Sequence, residues 1–197
     1  MELGVGNWVN CTIPFHDLRI TTHNSGLTIH DMSTDSSNLH NTTGIHLPAG
    51  ACVVIVRTEW NAVTVDKLEE GCNKILAEKN VQHMTIIVPG AFEIPFAIKS
   101  YWEAHKYKED KPCAFIALGC VLRGDTPHFD YVCKAVTDGV VQLNLQLPVP
   151  TIFGVLTVDN QQQIDERTGG KHGHKGEEAA VTALKMIALK NSFYKTH

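Results

Sequence analysis

The chain has 197 residues, of which 43% are hydrophobic and 19% charged, so it suits a single globular domain with a sizeable core. Its formal net charge of −4 at pH 7 argues against a nucleic acid or an anionic membrane surface as partner, and apolar runs such as Ala114–Leu118 are too short to span a bilayer. There is no signal-peptide pattern after Met1, and the six cysteines form no C-x-x-C pair, so we expect a reducing, cytoplasmic setting.

The N-terminal segment differs in composition from the rest of the chain. Residues 21–43 are rich in Ser, Thr, Asn and His, contain no Lys or Arg, and show no sustained hydrophobic period. A segment with so little apolar surface cannot offset the entropy lost on ordering. We therefore expect residues 1–44 to be a flexible extension and residues 45–197 to form the folded domain.

After residue 47 the hydrophobic pattern alternates between two periods. Cys52–Val56 is a β-branched run without a polar face, as in a parallel strand that is covered on both sides, and helical spacing follows it. The same alternation recurs in three further strand-and-helix pairs, at 84–88 with a helix from Ile94, at 114–122 with 132–143, and at 151–158 with 181–188. Four consecutive βα units predict a three-layer α/β/α sandwich with a mainly parallel four-stranded sheet, to which the N-terminal region can add a strand.

The loop Arg123–His128 carries the clearest chemical signal. In open α/β sheets, ligands bind outside the carboxyl ends of the strands, and this loop follows the third strand. Gly124 permits close backbone approach, and Asp125 and Thr126 would open the next helix with exposed N–H groups and a hydroxyl, which suits a phosphate. The same tripeptide is also a common turn and helix cap. His128 follows within the first helical turn, where an imidazole can exchange a proton beside a bound anion.

Other candidate residues lie near the same sheet edge. Arg167 could pair with a phosphate, although most arginines at such a position are solvated charges on a helix face. Trp60 and Phe153 could stack on a flat heterocycle, and core packing is the alternative for Phe153. Two histidines within Lys171–Lys175 suggest a metal site, but no neighbouring Cys or carboxylate completes a zinc set, so we expect a flexible glycine-rich loop.

Several motifs resemble those of the lumazine synthases. They appear in the family's order and together cover roughly residues 45–194, whereas residues 1–44 match nothing in that family. The motifs are Val88–Pro95, the highly specific Gly119–Tyr131, Phe153–Thr157, Glu166-Arg167 and Lys175-Gly176.

The resemblance implies a flavodoxin-like fold and a role in riboflavin synthesis. The implied reaction condenses 5-amino-6-(D-ribitylamino)uracil with 3,4-dihydroxy-2-butanone 4-phosphate to give 6,7-dimethyl-8-ribityllumazine. His128 matches the family's general acid/base, and Asp125, Thr126 and Arg167 match its phosphate site. The positions that match its ribitylaminouracil site are Trp60, Ala91, Phe92, Glu93, Cys120, Val121 and Leu122, with Phe153 reaching the pocket from a neighbouring subunit.

The resemblance also implies an assembly. Lumazine synthases form homo-pentamers, and in some members twelve pentamers close into an icosahedral shell. Riboflavin synthase is a further candidate partner, and no metal or organic cofactor is implied.

Two non-enzymatic functions are the alternatives to an enzyme: a ligand-binding module and a structural shell protein. A flavin- or lumazine-binding module could use the same scaffold, but a plain flavodoxin carries a Ser/Thr-rich phosphate loop where this chain has Arg57–Asn61. An idle family member could lack His128 or Arg167, and both are present. A purely structural shell protein would not need a phosphate cradle, so the sequence favours the enzyme.

Overall fold

A four-stranded parallel sheet forms the centre of the computed structural model, which describes residue 42 and residues 44–194. Its strands are β1 (Cys52–Thr58), β2 (Gln82–Val88), β3 (Ala114–Leu122) and β4 (Thr151–Val158). They lie in the order β2-β1-β3-β4, and each neighbouring pair is parallel. The predicted sheet is confirmed: the bounds of β3 and β4 are those expected from the sequence, and β1 and β2 are each two residues longer.

Helices cover both faces of the sheet. The helices are α1 (Ala62–Glu78), α2 (Ile94–His105), α3 (His128–Gln146), the short α4 (Gln161–Asp165) and α5 (Lys175–Tyr194). Successive residues of β1 point to opposite faces, so Val53 packs with α1 and α5, whereas Val54 packs with α2 and α3. Burial on both faces explains why β1 lacks a polar face. The three-layer, flavodoxin-like sandwich is therefore confirmed.

The segment between α4 and α5 differs from the sequence prediction. Where a flexible glycine-rich loop was predicted at Lys171–Lys175, β5 (Thr168–Gly170) and β6 (Gly173–His174) pair as an antiparallel hairpin. Gly169 and Gly173 make this turn possible because their φ angles of 115° and 74° are disfavoured for residues with a Cβ. The glycines that suggested a flexible loop thus serve a defined turn. In the described part of the chain, no three His, Cys, Asp or Glu side chains are grouped to hold a metal.

The N-terminal prediction falls almost entirely outside the described residues. Only Thr42 and Gly44 of the segment 1–44 are described, so its flexibility and the additional strand stay predictions. Across residues 44–194, none of the helices combines the length and hydrophobicity that crossing a bilayer requires.

The tight contact between α1 and α5 gives a test of the packing. A methyl group at Gly176 would overlap the backbone carbonyl of Leu68, which cannot move away as a side chain could. We expect Gly176→Ala to lower the free energy of unfolding by roughly 2 kcal/mol, as overpacking of a core does, measured by urea denaturation. Gly124→Ala is the matched control, because a methyl group there meets no described atom within 4 Å. Equal unfolding midpoints for the two variants would contradict the close helix contact.

Candidate functional site

A cavity of about 640 Å³ opens at the carboxyl ends of β1 and β3, beside the loop that follows β2. This volume lies within the range of small-molecule sites. Eight of the twelve predicted site residues line it: Trp60, Ala91, Phe92, Glu93, Cys120, Val121, Leu122 and His128. The fold thus brings three separate sequence motifs around one space, and their role in binding stays a prediction.

The loop after β1 presents an aromatic side chain from a fixed backbone. The backbone N–H of Trp60 donates to the carbonyl of Pro89 at 3.2 Å, and the Thr58 hydroxyl donates to the carbonyl of Trp60 at 3.0 Å. The Trp60 side chain itself remains exposed, as does Phe92 on the loop after β2. Two aromatic rings are therefore available to a planar ligand at this end of the cavity.

Asn61 joins this loop to the end of β3, a role that the sequence analysis missed. Its backbone adopts a left-handed conformation with φ 58°, which asparagine tolerates better than most residues. Its side-chain amide donates to the carbonyl of Cys120 at 2.8 Å and does not cap α1. The side chain of an Asn immediately before a helix usually caps that helix. The sequence alone would therefore predict a hydrogen bond to the first turn of α1 and not one to Cys120.

Cys120 forms an apolar wall of the cavity. It is only 4% exposed, and burial raises the pKa of its thiol to about 11. The thiol therefore stays protonated near neutral pH and is unsuited to act as a nucleophile. Val121 and Leu122 extend the same wall toward solvent.

The loop after β3 leads to the amino end of α3. Helix α3 begins at His128 with Pro127 as its cap residue, so Asp125 and Thr126 lie before the helix, where the sequence analysis had expected them to open it. Within the described chain, no side chain caps the first turn of α3. Free N–H groups and the helix dipole at such a terminus favour an anion. Asp125 and Thr126 are exposed and lie in the chain between the lining residues Gly124 and His128, but neither of them lines the cavity itself.

Arg123 links three elements at this end of the cavity, and the sequence analysis did not single it out. Its Nε donates to Asp159 Oδ1 at 2.8 Å after the end of β4, and its Nη2 donates to Asp130 Oδ1 at 3.2 Å in α3. The guanidinium lies over the Phe129 ring, 4.0 Å from the centroid. The hydrogen bond from Arg123 lowers the pKa of Asp159, and the two carboxylates raise the pKa of Arg123.

Besides Asp125 and Thr126, two further predicted site residues, Arg167 and Phe153, do not line the cavity. Arg167 follows α4, where its guanidinium donates to the carbonyl of Gln163 at 3.0 Å. Phe153 lies on β4, an edge strand, and is 41% exposed between buried neighbours, so core packing does not account for it. It lines a separate groove of about 810 Å³ between the end of α3, β4 and α5, together with Lys175.

Comparisons with known proteins give one consistent result. The sequence model of the 6,7-dimethyl-8-ribityllumazine synthase family matches residues 50–191, which include every residue that lines the cavity. The chain is 48% identical over 136 residues to the 6,7-dimethyl-8-ribityllumazine synthase of Parabacteroides distasonis, covering 68% of this chain and 82% of that protein. For the protein of the same name from Porphyromonas gingivalis, identity is 47% over 163 residues, covering 80% of this chain and 98% of the relative.

The burial of Cys120 predicts slow chemical labelling. With a pKa of about 11, the reactive thiolate at pH 8 amounts to roughly one molecule in a thousand. We expect iodoacetamide to modify Cys120 at least about tenfold more slowly than the less buried Cys133, followed residue by residue with mass spectrometry. Raising the pH from 8 to 9 should accelerate labelling of Cys120 about tenfold. Equal rates for the two cysteines at pH 8 would show that Cys120 is not a buried, protonated wall residue.

Proposed function

The chain belongs to the 6,7-dimethyl-8-ribityllumazine synthase family, and on that premise we propose that its cavity carries out the family's condensation. The substrates are 5-amino-6-(D-ribitylamino)uracil and 3,4-dihydroxy-2-butanone 4-phosphate, and the product is 6,7-dimethyl-8-ribityllumazine. This transferase reaction is the penultimate step of riboflavin biosynthesis. The observation that carries the proposal is the convergence of exposed aromatic rings, an apolar wall and His128 around one cavity of suitable volume.

The aromatic end of the cavity suits the pyrimidine. The exposed rings of Trp60 and Phe92 offer faces for stacking, and Cys120, Val121 and Leu122 form the adjacent wall. Ala91 and Glu93 lie on the short 3-10 turn that precedes α2, and the Glu93 carboxylate can accept hydrogen bonds from ribityl hydroxyls or ring N–H groups.

The opposite end suits the phosphate of the second substrate. Gly124, Asp125 and Thr126 lead to the uncapped amino end of α3, where backbone N–H groups and the Thr126 hydroxyl can donate to phosphate oxygens. Arg167 is the proposed cationic partner. It is connected to this end by hydrogen bonds that run through Gln163 and Asp159 to Arg123.

The chemistry requires positioning more than it requires a reactive side chain. The 5-amino group of the uracil attacks the ketone, and loss of water gives an imine. Phosphate then leaves, and the ribitylamino nitrogen closes the second ring with loss of a second water. The substrates supply the amine, the carbonyl and the leaving group, so holding them at near-attack distance can contribute as much as about 7–11 kcal/mol. Proton transfer through His128 would add roughly two to four powers of ten in rate.

We further propose that the complete site is shared between neighbouring copies of the chain. Phe153 is exposed on the edge strand β4 and lines a groove other than its own chain's cavity, so it is available to close the cavity of a neighbour. The assembly would be a homo-pentamer or a closed icosahedral shell of pentamers. Riboflavin synthase, which uses the product, is the proposed partner, and the cytoplasm is the proposed location. The five described cysteines are free thiols, in keeping with a reducing compartment.

The direct test of the function is product formation by the purified protein. Incubation with both substrates should yield lumazine, detected by its absorbance, together with one inorganic phosphate for each lumazine. Binding of lumazine without turnover would instead favour a flavin- or lumazine-binding module.

A variant of His128 tests the proposed mechanism. We expect His128→Ala to lower kcat about ten- to a thousandfold with a modest change in KM, because one proton-transfer group is removed while the binding surfaces remain. His83→Ala is the matched control, since His83 lies near the opposite end of β2 and its imidazole ring hydrogen-bonds only to the nearby Val81 carbonyl among the described residues. Wild-type turnover of a folded His128→Ala enzyme across neutral pH would remove this histidine from the mechanism.

A further inference from the structure

We propose that Arg123 is a positioning residue for the phosphate-bearing substrate and acts mainly by neutralising two carboxylates, Asp130 and Asp159, at the phosphate end of the cavity. The inference rests on the proposed function, because it assigns a role within the same site. It concerns a side chain that need not touch the substrate and that acts through its neighbours.

The phosphate end of the cavity contains more acidic residues than an anion site would tolerate unaided. Asp125 lies in the loop itself, Asp130 lies in the first turn of α3, and Asp159 follows the end of β4. A carboxylate in the first helical turn already uses part of the helix dipole that would otherwise favour a bound anion. A phosphate dianion brought here would meet like charges, and such juxtaposition weakens binding unless a cation compensates for it.

The contacts of Arg123 allow it to neutralise the charges of Asp130 and Asp159. One guanidinium donates through two different nitrogens to the two carboxylates, at 2.8 Å to Asp159 and 3.2 Å to Asp130. The guanidinium also lies over the ring of Phe129. This contact helps to hold the guanidinium in the orientation that allows both hydrogen bonds. A lysine ammonium lacks this fork and could not reproduce the arrangement with a single rotamer.

The three charged side chains are well exposed, so they are expected to matter more for ligand binding than for folding stability. The side chains of Arg123, Asp130 and Asp159 are 44%, 62% and 58% exposed, and ion pairs with this exposure contribute little to folding stability. Their charges nevertheless lie beside the cavity, since Arg123 itself lines it. The cluster is therefore expected to influence an incoming anion more than it influences the folded state.

The same cluster is linked to the proposed phosphate-binding arginine. The backbone N–H of Asp159 donates to Gln163 Oε1 at 2.8 Å, and the backbone N–H of Gln163 donates to Asn160 Oδ1 at 3.0 Å. The carbonyl of Gln163 in turn accepts the hydrogen bond from Arg167 at 3.0 Å. Asp159 is thus linked to both guanidinium groups, to Arg123 through its carboxylate and to Arg167 through its backbone N–H and Gln163.

If Arg123 acts by neutralising Asp130 and Asp159, removing both carboxylates should restore phosphate binding in an Arg123 variant. If Arg123 acts only by holding neighbouring groups in place, it should not. We expect Arg123→Ala to raise KM for the butanone phosphate about tenfold or more, because Asp130 and Asp159 then repel the phosphate, while KM for the uracil substrate changes less than about threefold. Replacing both carboxylates in that background, as R123A/D130N/D159N, should return KM for the phosphate substrate to within about threefold of wild type. The inhibition constant of inorganic phosphate should change in parallel.

If the triple variant binds the phosphate substrate as weakly as Arg123→Ala, the hydrogen bonds matter as bracing and neutralisation is wrong. An unchanged KM in Arg123→Ala would overturn the positioning role altogether. Urea denaturation of every variant should give midpoints close to wild type, and Arg123→Gln, which removes the charge but keeps a hydrogen-bond donor, is the substitute if Arg123→Ala does not fold.

The failure of this inference can be distinguished from the failure of the proposed function. A wild-type protein that forms no lumazine refutes the function, whatever the variants do. Binding of inorganic phosphate, measured by titration calorimetry on wild type, Arg123→Ala and the triple variant, tests neutralisation without turnover. Phosphate affinity that falls in Arg123→Ala and recovers in the triple variant supports the inference even then, and equal affinity in all three overturns it.

Discussion

The parallel pairing of β1 with β3 is the constraint on which the site depends. Because both strands run in the same direction, their carboxyl ends meet at one sheet edge, and the loop that bears Trp60 lies next to the loop that leads to His128. Hydrogen bonds also tie the loops to the sheet beyond the strand ends: the Asn61 side chain donates to Cys120 in β3, and the Arg123 N–H donates to Val158 in β4. The loops that line the cavity are thereby tied to a rigid sheet, as an ordered site requires.

The distribution of polarity along the cavity fits a reaction that needs no protein nucleophile. Aromatic and apolar side chains occupy one end beside the Glu93 carboxylate, and the thiol in their wall is held protonated because burial raises the pKa of Cys120 to about 11. Charged groups gather at the other end, around Arg123 and its two carboxylates. His128 stands at the start of α3, next to this charged end. A planar heterocycle and a phosphate ester could therefore lie in one cavity with a proton-transfer group near the reacting carbons.

The sheet could be predicted from the sequence because it depends on local hydrophobic patterns, whereas most of the residues that line the cavity were expected from the resemblance to a known family. Strand β3 ends where its apolar run ends, and the residues after it form a recognisable motif. Long-range partners could not be predicted in the same way: Asn61 bonds to a residue 59 positions away, and Arg123 to one 36 positions away. The hairpin after α4 was missed because its strands are only three and two residues long, too short for a hydrophobic period.

In the proposed assembly, each complete site combines the cavity of one chain with Phe153 of its neighbour. The most direct measurement mixes two impaired variants, His128→Ala and Phe153→Ala, after dissociating and reassembling them together. With random assembly, about one site in four would receive both intact residues, so activity should return to about a quarter of wild type. A mixture of His128→Ala with Trp60→Ala, both altered in the same half of the site, should show no such recovery. If the first mixture is no more active than its components, the site is not shared in this way.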